Sequence, residues 1–122
     1  MQWLLHGSLT PAVTEALVRH GHKTHAPAEA GLTPEAPPAD ILKVASEKQW
    51  DVLTTDAALS MAPFHQDEWF KRCIVYLQLE GGDVEQDDAV DRLFTRYSRL
   101  TPGRLYTVTA NRVKVRQLPG KI

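Results

Sequence analysis

The sequence predicts an α/β domain with a mainly parallel sheet of about four strands, completed by a C-terminal antiparallel hairpin. Short apolar segments typical of strands alternate with segments of helical period over most of the chain. The run Cys73–Leu77 is continuously apolar, as expected for a central parallel strand that is covered on both faces. Beyond residue 104 the period changes to two, which indicates paired antiparallel strands.

The first half of the chain supplies two strands and one helix. Gln2–Leu5 predicts a strand, and Thr10, followed by a proline, predicts a helix start with Thr10 as its N-cap. The helix should end at Gly21, and a weaker strand should follow over residues 22–26. Four prolines in residues 27–38 predict an exposed loop.

The middle of the chain predicts the rest of the parallel sheet. We expect a helix over residues 38–48 and a strand over residues 51–54. Residues 57–72 should be irregular, with a short helix around residues 66–71. After the Cys73–Leu77 strand, apolar residues from Val90 to Leu100 repeat at helical spacing and predict the last helix.

The C-terminal segment predicts a hairpin of residues 105–109 and 112–116, with Asn111 in a left-handed turn. Val113 and Val115 should face one way and three cations the other. The cations are Arg112, Lys114 and Arg116. They either protect an exposed edge from aggregation or contact phosphate groups. An exposed edge is also compatible with a homodimer.

Composition limits the class of protein. The 122 residues suit a single domain, residues 1–122, and 43% apolar with 24% charged residues is typical of soluble proteins. The one cysteine, Cys73, excludes an internal disulfide and is expected to be a buried structural thiol. No basic leader or membrane-length apolar stretch is present, so we expect a cytoplasmic protein without membrane contact.

Charge is segregated along the chain. Residues 67–91 carry eight acids and two basic residues, whereas residues 92–122 carry eight basic residues and no acid. This pattern fits a polyanionic partner or an acidic protein. Two solvated segments, or segments that neutralise each other, explain it equally well.

Two acids form the candidate site. Asp40 opens the second helix, and Asp56 follows the strand of residues 51–54. Ligands of open α/β sheets bind at the carboxyl ends of the strands, and two carboxylates there are the minimum for holding a divalent cation. The alternative is that Asp40 stabilises a helix start and Asp56 is an ordinary turn residue.

Five segments in order carry a family resemblance. They are Leu4–Pro11, Arg19–His22, Ala39–Ala45, Val52–Asp56 and Arg112–Pro119. This order resembles a compact bacterial subfamily of PIN-like domains, related to metal-dependent toxin ribonucleases of toxin–antitoxin pairs. The resemblance implies a three-layer PIN-like fold that hydrolyses RNA. It also implies Asp40 and Asp56 as ligands of Mg²⁺ or Mn²⁺, with RNA and an antitoxin protein as partners.

The chain departs from the family at its first acid. His6 stands where the family carries an Asp at the end of the first strand, Gly7 replaces a neighbouring acid, and Leu59 replaces an aromatic residue. Imidazole binds Mn²⁺ or Zn²⁺ but is a poor ligand for Mg²⁺. We therefore expect His6 either to join the catalytic site or to be a neutral structural replacement, and hydrolysis to be weak or lost. The alternative is a catalytically inactive PIN-like module that binds RNA or protein.

The remaining polar and aromatic residues also have predicted positions. One of Glu80, Asp83 and Asp87 could supply a third acid, because they follow the Cys73–Leu77 strand. Asp51 should be a surface residue at the opposite sheet edge, and Ser8 and Thr10 should be helix caps. The residues expected on the surface are His20, His22 and His25 near the first helix, and the loop His65–Glu68. Trp3, Trp50 and Trp69 should serve in packing.

Overall fold

The computed structural model describes residues 1–33, 35–65 and 70–119. Six strands and four helices are found there, with a 3₁₀ turn at Pro27–Ala30. In chain order they are β1 (Gln2–His6), α1 (Pro11–Arg19), β2 (Lys23–His25), α2 (Pro38–Lys48), β3 (Asp51–Thr54), α3 (Ala57–His65), β4 (Ile74–Leu77), α4 (Asp83–Arg96), β5 (Arg104–Val108) and β6 (Val113–Gln117).

The strands form one mixed sheet in the order β2-β1-β3-β4-β5-β6. Every neighbouring pair is parallel except β5–β6, which is antiparallel. The predicted α/β class, mainly parallel sheet and C-terminal hairpin are therefore confirmed. The parallel part has five strands rather than about four, because the first strand of the hairpin, β5, also pairs with β4.

Helices cover both faces of the sheet and give three layers. Alternate strand residues point to opposite faces, so Leu53 and Val75 join the core under α1 and α4. Their neighbours Val52 and Ile74 join the core under α2 and α3. The run Cys73–Leu77 is continuously apolar because its strand is buried on both faces, as predicted for a central strand.

One connection in the sheet has an unusual hand. The links β3–α3–β4 and β4–α4–β5 advance in the same direction across the sheet, yet their helices pack on opposite faces. Their crossovers therefore have opposite hands. About 98% of such crossovers are right-handed, and the links through α1 and α2 share the hand of the α3 link. The α4 crossover is thus the left-handed one, and it places α4 against α1.

Two local predictions were wrong. Residues 57–65 form a helix, not irregular chain, and the helix expected at residues 66–71 falls largely outside the described residues. The hairpin turn does not use a left-handed Asn111, since Gln49 is the only described non-glycine residue with positive φ. Instead the Thr109 hydroxyl accepts the Arg112 N–H at 3.2 Å, while the Thr109 N–H bonds the Arg112 carbonyl at 2.9 Å.

Asp51 is a buried residue of β3, which corrects the prediction of a surface position. Its side chain is 1% exposed. One carboxylate oxygen accepts the Cys73 N–H at 2.8 Å, and the other accepts a hydrogen bond from Arg72 at 3.3 Å. The carboxylate thus satisfies a backbone donor at the start of the neighbouring strand. Cys73 is buried as expected, and burial raises the pKa of its thiol to about 12.

The histidines near α1 are half-buried rather than on the surface. His22 Nδ1 accepts the Trp3 indole N–H at 3.1 Å, and its ring lies 4.6 Å from that of Phe94. His25 stacks on Trp50 at 3.9 Å. Trp3 and Trp50 are buried, as predicted, and Trp69 lies outside the described residues. In the part of the chain that the structure describes, no helix has the length and apolar character needed to cross a membrane.

Replacing Asp51 by alanine should lower the free energy of unfolding by about 1–3 kcal/mol, because it leaves the buried Cys73 N–H without an acceptor. Urea denaturation measures this change. Glu47→Ala, an exposed position on α2, is the control and should change it by less than about 0.5 kcal/mol. Equal effects of the two substitutions would contradict the role assigned to Asp51.

His22 should make stability depend on pH. Burial lowers its pKa from 6.5 to about 4 in the folded protein, so the unfolded chain binds the proton more readily between these values. The free energy of unfolding should therefore fall as pH falls from about 6.5 towards 4. In urea denaturation across this range, His22→Gln should weaken the dependence. His65→Gln, at an exposed histidine of α3, should leave it intact.

Candidate functional site

The candidate site lies where the chain changes direction across the sheet. From β1 the chain moves to β2 on one side and then returns to β3 on the other. After β1 it enters α1 on one face of the sheet, and after β3 it enters α3 on the opposite face. The carboxyl ends of β1 and β3 therefore border a crevice, which is the usual ligand position in open α/β sheets.

Thr54 joins two of the predicted site residues at this crevice. His6 and Thr54 are register partners at the ends of β1 and β3. The Thr54 hydroxyl lies 2.9 Å from His6 Nδ1 and also accepts the Asp56 N–H at 2.9 Å. Thr54 is fully buried, so this link is rigidly placed. The imidazole of His6 and the main chain of Asp56 are thus linked through one hydroxyl.

The environment favours the neutral form of His6. Burial lowers the pKa of the imidazole, and the nearby Asp56 carboxylate opposes that shift only in part. A neutral imidazole carries one ring proton, so Nδ1 either accepts from the Thr54 hydroxyl or donates to it. Only the second arrangement leaves Nε2 unprotonated and able to bind a cation.

Asp56 caps the helix that follows it. Its Oδ1 accepts the Ala58 N–H at 2.9 Å, and its carbonyl accepts the Ser60 N–H at 3.2 Å. The side-chain bond satisfies a backbone donor that a helix start otherwise leaves free, and the carbonyl bond is the first regular bond of α3. Asp56 is therefore a helix cap rather than an ordinary turn residue, and this role occupies one of the two carboxylate oxygens.

The loop after β1 is held by Thr55 and Gln86. The Thr55 hydroxyl accepts the Ser8 N–H at 2.8 Å. Gly7 has φ +95°, and a Cβ there would stand 2.3 Å from the same hydroxyl, so an acid at position 7 does not fit. From α4, the Gln86 amide accepts the Thr10 N–H at 2.9 Å and donates to the Ser8 carbonyl at 3.2 Å.

Asp40 stands apart from this cluster. It is exposed at the third position of α2, where an acid is favourable to the helix dipole. Within the described residues its side chain makes no hydrogen bond or ion pair. No bond links it to His6 or Asp56, so its proposed ligand role depends on its position at the carboxyl edge alone.

The expected third acid is not part of the cluster. Asp87 pairs with Arg19 of α1, while Glu80 and Asp83 are exposed near the start of α4. Across residues 1–33, 35–65 and 70–119, no three His, Cys, Asp or Glu side chains form a group able to hold a metal ion. Of the segment His65–Glu68, which was predicted to be a loop, His65 is the last residue of α3 and residues 66–68 lie outside these ranges.

The basic residues of the hairpin lie on the edge of the sheet. Lys114 and Arg116 are exposed on β6, and Arg112 precedes it. The Arg116 guanidinium lies 3.9 Å from the Phe64 ring centre on α3, whereas Val113 packs against the core under α1 and α4, so these two residues face opposite sides of the sheet. Four strand spacings, about 19 Å, separate β6 from β1. These cations are therefore remote from His6.

Sequence reasoning missed Thr54, Thr55 and Gln86. The run Thr54-Thr55-Asp56 places three polar side chains at a strand end, but only the acid was predicted to have a role. Gln86 carried no signal because its partners Ser8 and Thr10 are more than 75 positions away in the chain.

Comparisons with known proteins give no relative for this chain: no protein-family model, curated protein or solved structure matches it.

The Asp56 carboxylate should control the protonation of His6. Asp56→Asn removes the charge that raises the imidazole pKa, so the pKa of His6 should fall further below 6.5. NMR titration of the histidine ring protons measures it. Asp40→Asn is the matched control and should leave the pKa unchanged. A shift with Asp40→Asn, or none with Asp56→Asn, would contradict this geometry.

Proposed function

We propose that this protein is a PIN-like ribonuclease-type domain whose metal-dependent hydrolysis of RNA is weak or lost. The observation that carries the proposal is that the Thr54 hydroxyl bonds both the His6 imidazole and the main-chain N–H of Asp56, at the carboxyl ends of β1 and β3. This is the position at which open α/β sheets bind ligands. The order of the motifs along the chain is the basis for proposing a PIN-like domain.

The donors fit a divalent cation by type but are only partly assembled. Asp40 and Asp56 offer the hard oxygens that Mg²⁺ or Mn²⁺ prefers, and His6 offers a nitrogen that suits Mn²⁺ better than Mg²⁺. A bound cation would lower the pKa of a coordinated water and stabilise charge on the phosphodiester. His6 in place of an acid leaves the site one negative charge short, which weakens its hold on a dication.

The residues of the chain would have separate roles. Thr54 would orient the imidazole by accepting a hydrogen bond from its Nδ1–H, and the Ala58 N–H would fix the Asp56 carboxylate through Oδ1. Lys114 and Arg116, with Arg112, would bind phosphates further along the RNA through charge. The toxin role and an antitoxin partner belong to the same proposal.

A second candidate is an inactive PIN-like module that binds RNA or protein. The observation favouring it is that existing bonds occupy His6 Nδ1 and Asp56 Oδ1, while Asp40 has no bond to either residue. These polar groups are satisfied without a ligand. Such a module would retain the fold and the basic edge but not hydrolysis.

Restoring the first acid should restore activity. Incubation with single-stranded RNA should show little cleavage by the native protein in Mg²⁺ and more in Mn²⁺. His6→Asp should raise Mg²⁺-dependent cleavage by about tenfold or more, because it completes the carboxylate set. Adding Asp56→Asn to His6→Asp should abolish the gain, whereas adding Asp88→Asn, at an exposed acid of α4, should not.

The outcomes separate the two candidates. Absence of cleavage by the native protein and by His6→Asp in both metals would overturn the catalytic proposal. In that case, salt-sensitive binding of the same RNA in EDTA, weakened by substituting Arg112, Lys114 and Arg116 with glutamine, would support the binding module.

A further inference from the structure

A basic cleft of about 400 Å³ lies at the amino edge of the sheet, where β1 and β2 begin and α2 ends. Three cationic residues from separate parts of the chain line it. Lys23 opens β2, Lys48 ends α2, and Arg72 lies just before β4. No acid is found among the lining residues that the structure describes. The cleft thus differs in charge from the crevice at the carboxyl edge, which holds Asp56.

Arg72 is a fixed hydrogen-bond donor at this cleft. Its Nη2 donates to the carboxylate of Asp51 at 3.3 Å, and the Asp51 side chain is buried. The Arg72 side chain nevertheless keeps 32% of its surface exposed. A guanidinium carries five N–H donors in a planar fork. Asp51 therefore orients the guanidinium and offsets its charge but does not occupy all of its donors.

The two lysines supply the net positive charge of the cleft. Both side chains are exposed, and neither makes an ion pair within the described parts of the chain. The Lys48 ammonium lies 5.4 Å from the ring centre of Trp50, which stacks on His25. Lys23 and Lys48 therefore leave two uncompensated positive charges beside the Arg72–Asp51 pair.

The lining of the cleft matches a phosphate better than a protein surface. Interfaces between proteins have an apolar core and are depleted in lysine. Surfaces that bind nucleic acid are polar and strongly positive. Among the described lining residues, Met1 is the one large apolar side chain, against three cations. Lysine as a point charge and arginine as a fork are the usual partners of phosphate oxygens.

The basic surface continues along the same edge to β6. This strand is antiparallel to β5, so its carboxyl end pairs with the amino end of β5, as in the register pair Arg104–Gln117. Arg116, the residue before Gln117, is therefore near the amino edge and is exposed. The outer strands β2 and β6 are five strand spacings apart, about 24 Å. A small anion cannot span this distance, whereas a polymer of phosphates can.

We propose that the amino edge of the sheet binds the phosphate backbone of single-stranded RNA, with one phosphate in the cleft and others towards Arg116. The identification of the polyanion as RNA rests on the proposed function. This surface is separate from the candidate hydrolytic edge, because His6 lies four residues, about 13 Å, from the start of β1. The contacts are made by cations of the chain, so binding here requires no metal.

RNA binding in EDTA tests this surface. The affinity of a labelled single-stranded RNA of about 12 nucleotides is measured by fluorescence anisotropy over a range of salt concentrations. Lys23→Gln and Lys48→Gln should each weaken binding about threefold and lower the slope of log K against log salt by about 0.7, the value for one phosphate contact. Lys43→Gln, at an exposed position of α2 outside the cleft, is the matched control.

The control should keep the native affinity and slope. Native values in both cleft variants, an equal loss in Lys43→Gln, or no RNA binding by the native protein would each overturn the proposal.

Two competitors distinguish the strand from other anions. Unlabelled RNA should displace the labelled strand, whereas uridine 5′-monophosphate and polyglutamate at the same total charge should not. Displacement by the mononucleotide as effective as that by RNA would assign the cleft to a small anion. Equally effective displacement by polyglutamate would assign the edge to an acidic protein. Either result would overturn the proposal.

The two proposals fail differently. RNA binding that depends on Lys23 and Lys48, without cleavage by the native protein or His6→Asp, would uphold the amino-edge surface and overturn hydrolysis. Cleavage by a protein whose RNA affinity is insensitive to both lysines would uphold hydrolysis and overturn the amino-edge surface.

Discussion

The parallel register between β1 and β3 sets His6 beside Thr54, and the properties of the carboxyl edge follow from that pairing. The two strands are neighbours because the chain passes from β1 to β2 and then crosses back to β3. Their helices then leave on opposite faces and open the crevice. A shift of one residue in this register would exchange the two faces of β1 and move Trp3 out of its core.

The same hydrogen bonds both organise and restrain the candidate site. Thr54 fixes the imidazole of His6, and the Ala58 N–H fixes the carboxylate of Asp56. Groups held in this way lose little entropy when they bind a ligand. The bond to Asp56 also uses a lone pair of a potential ligand oxygen, whereas the bond at His6 Nδ1 leaves Nε2 available only when Nδ1 is the donor. The balance between these two effects distinguishes a weak nuclease from a binding module.

The segregated charge is partly neutralised within the fold. In α4, Asp87 and Asp91 pair with Arg19 and His20 of α1. This pairing is possible because the left-handed crossover brings α4 against α1. The acidic segment is therefore partly compensated by α1, whereas the cations of β6 stay exposed on the sheet edge. Among the described residues of the basic segment, Lys114 and Arg116 therefore keep the character of a surface for a polyanion.

Local patterns in the sequence determined the α/β class, the bounds of α2 and the faces of the hairpin. Pro38 at the start and buried Ile41, Leu42 and Ala45 at helical spacing define α2, and these signals lie within one element. The helix α3 gave no such signal, because its buried residues include a proline and a serine rather than an apolar stripe.

Tertiary structure decided the roles of individual polar side chains. Asp51 is buried because the Cys73 N–H and Arg72 meet it from another part of the chain. The Thr10 side chain makes no capping bond at the start of α1, contrary to the prediction, and the Thr10 N–H is bonded by the Gln86 amide from α4. The sequence alone determined that His6 and Asp56 end strands of one sheet. Only the fold decided that they meet on Thr54, because the partners of a hydrogen bond are set by strand order and register rather than by local propensity.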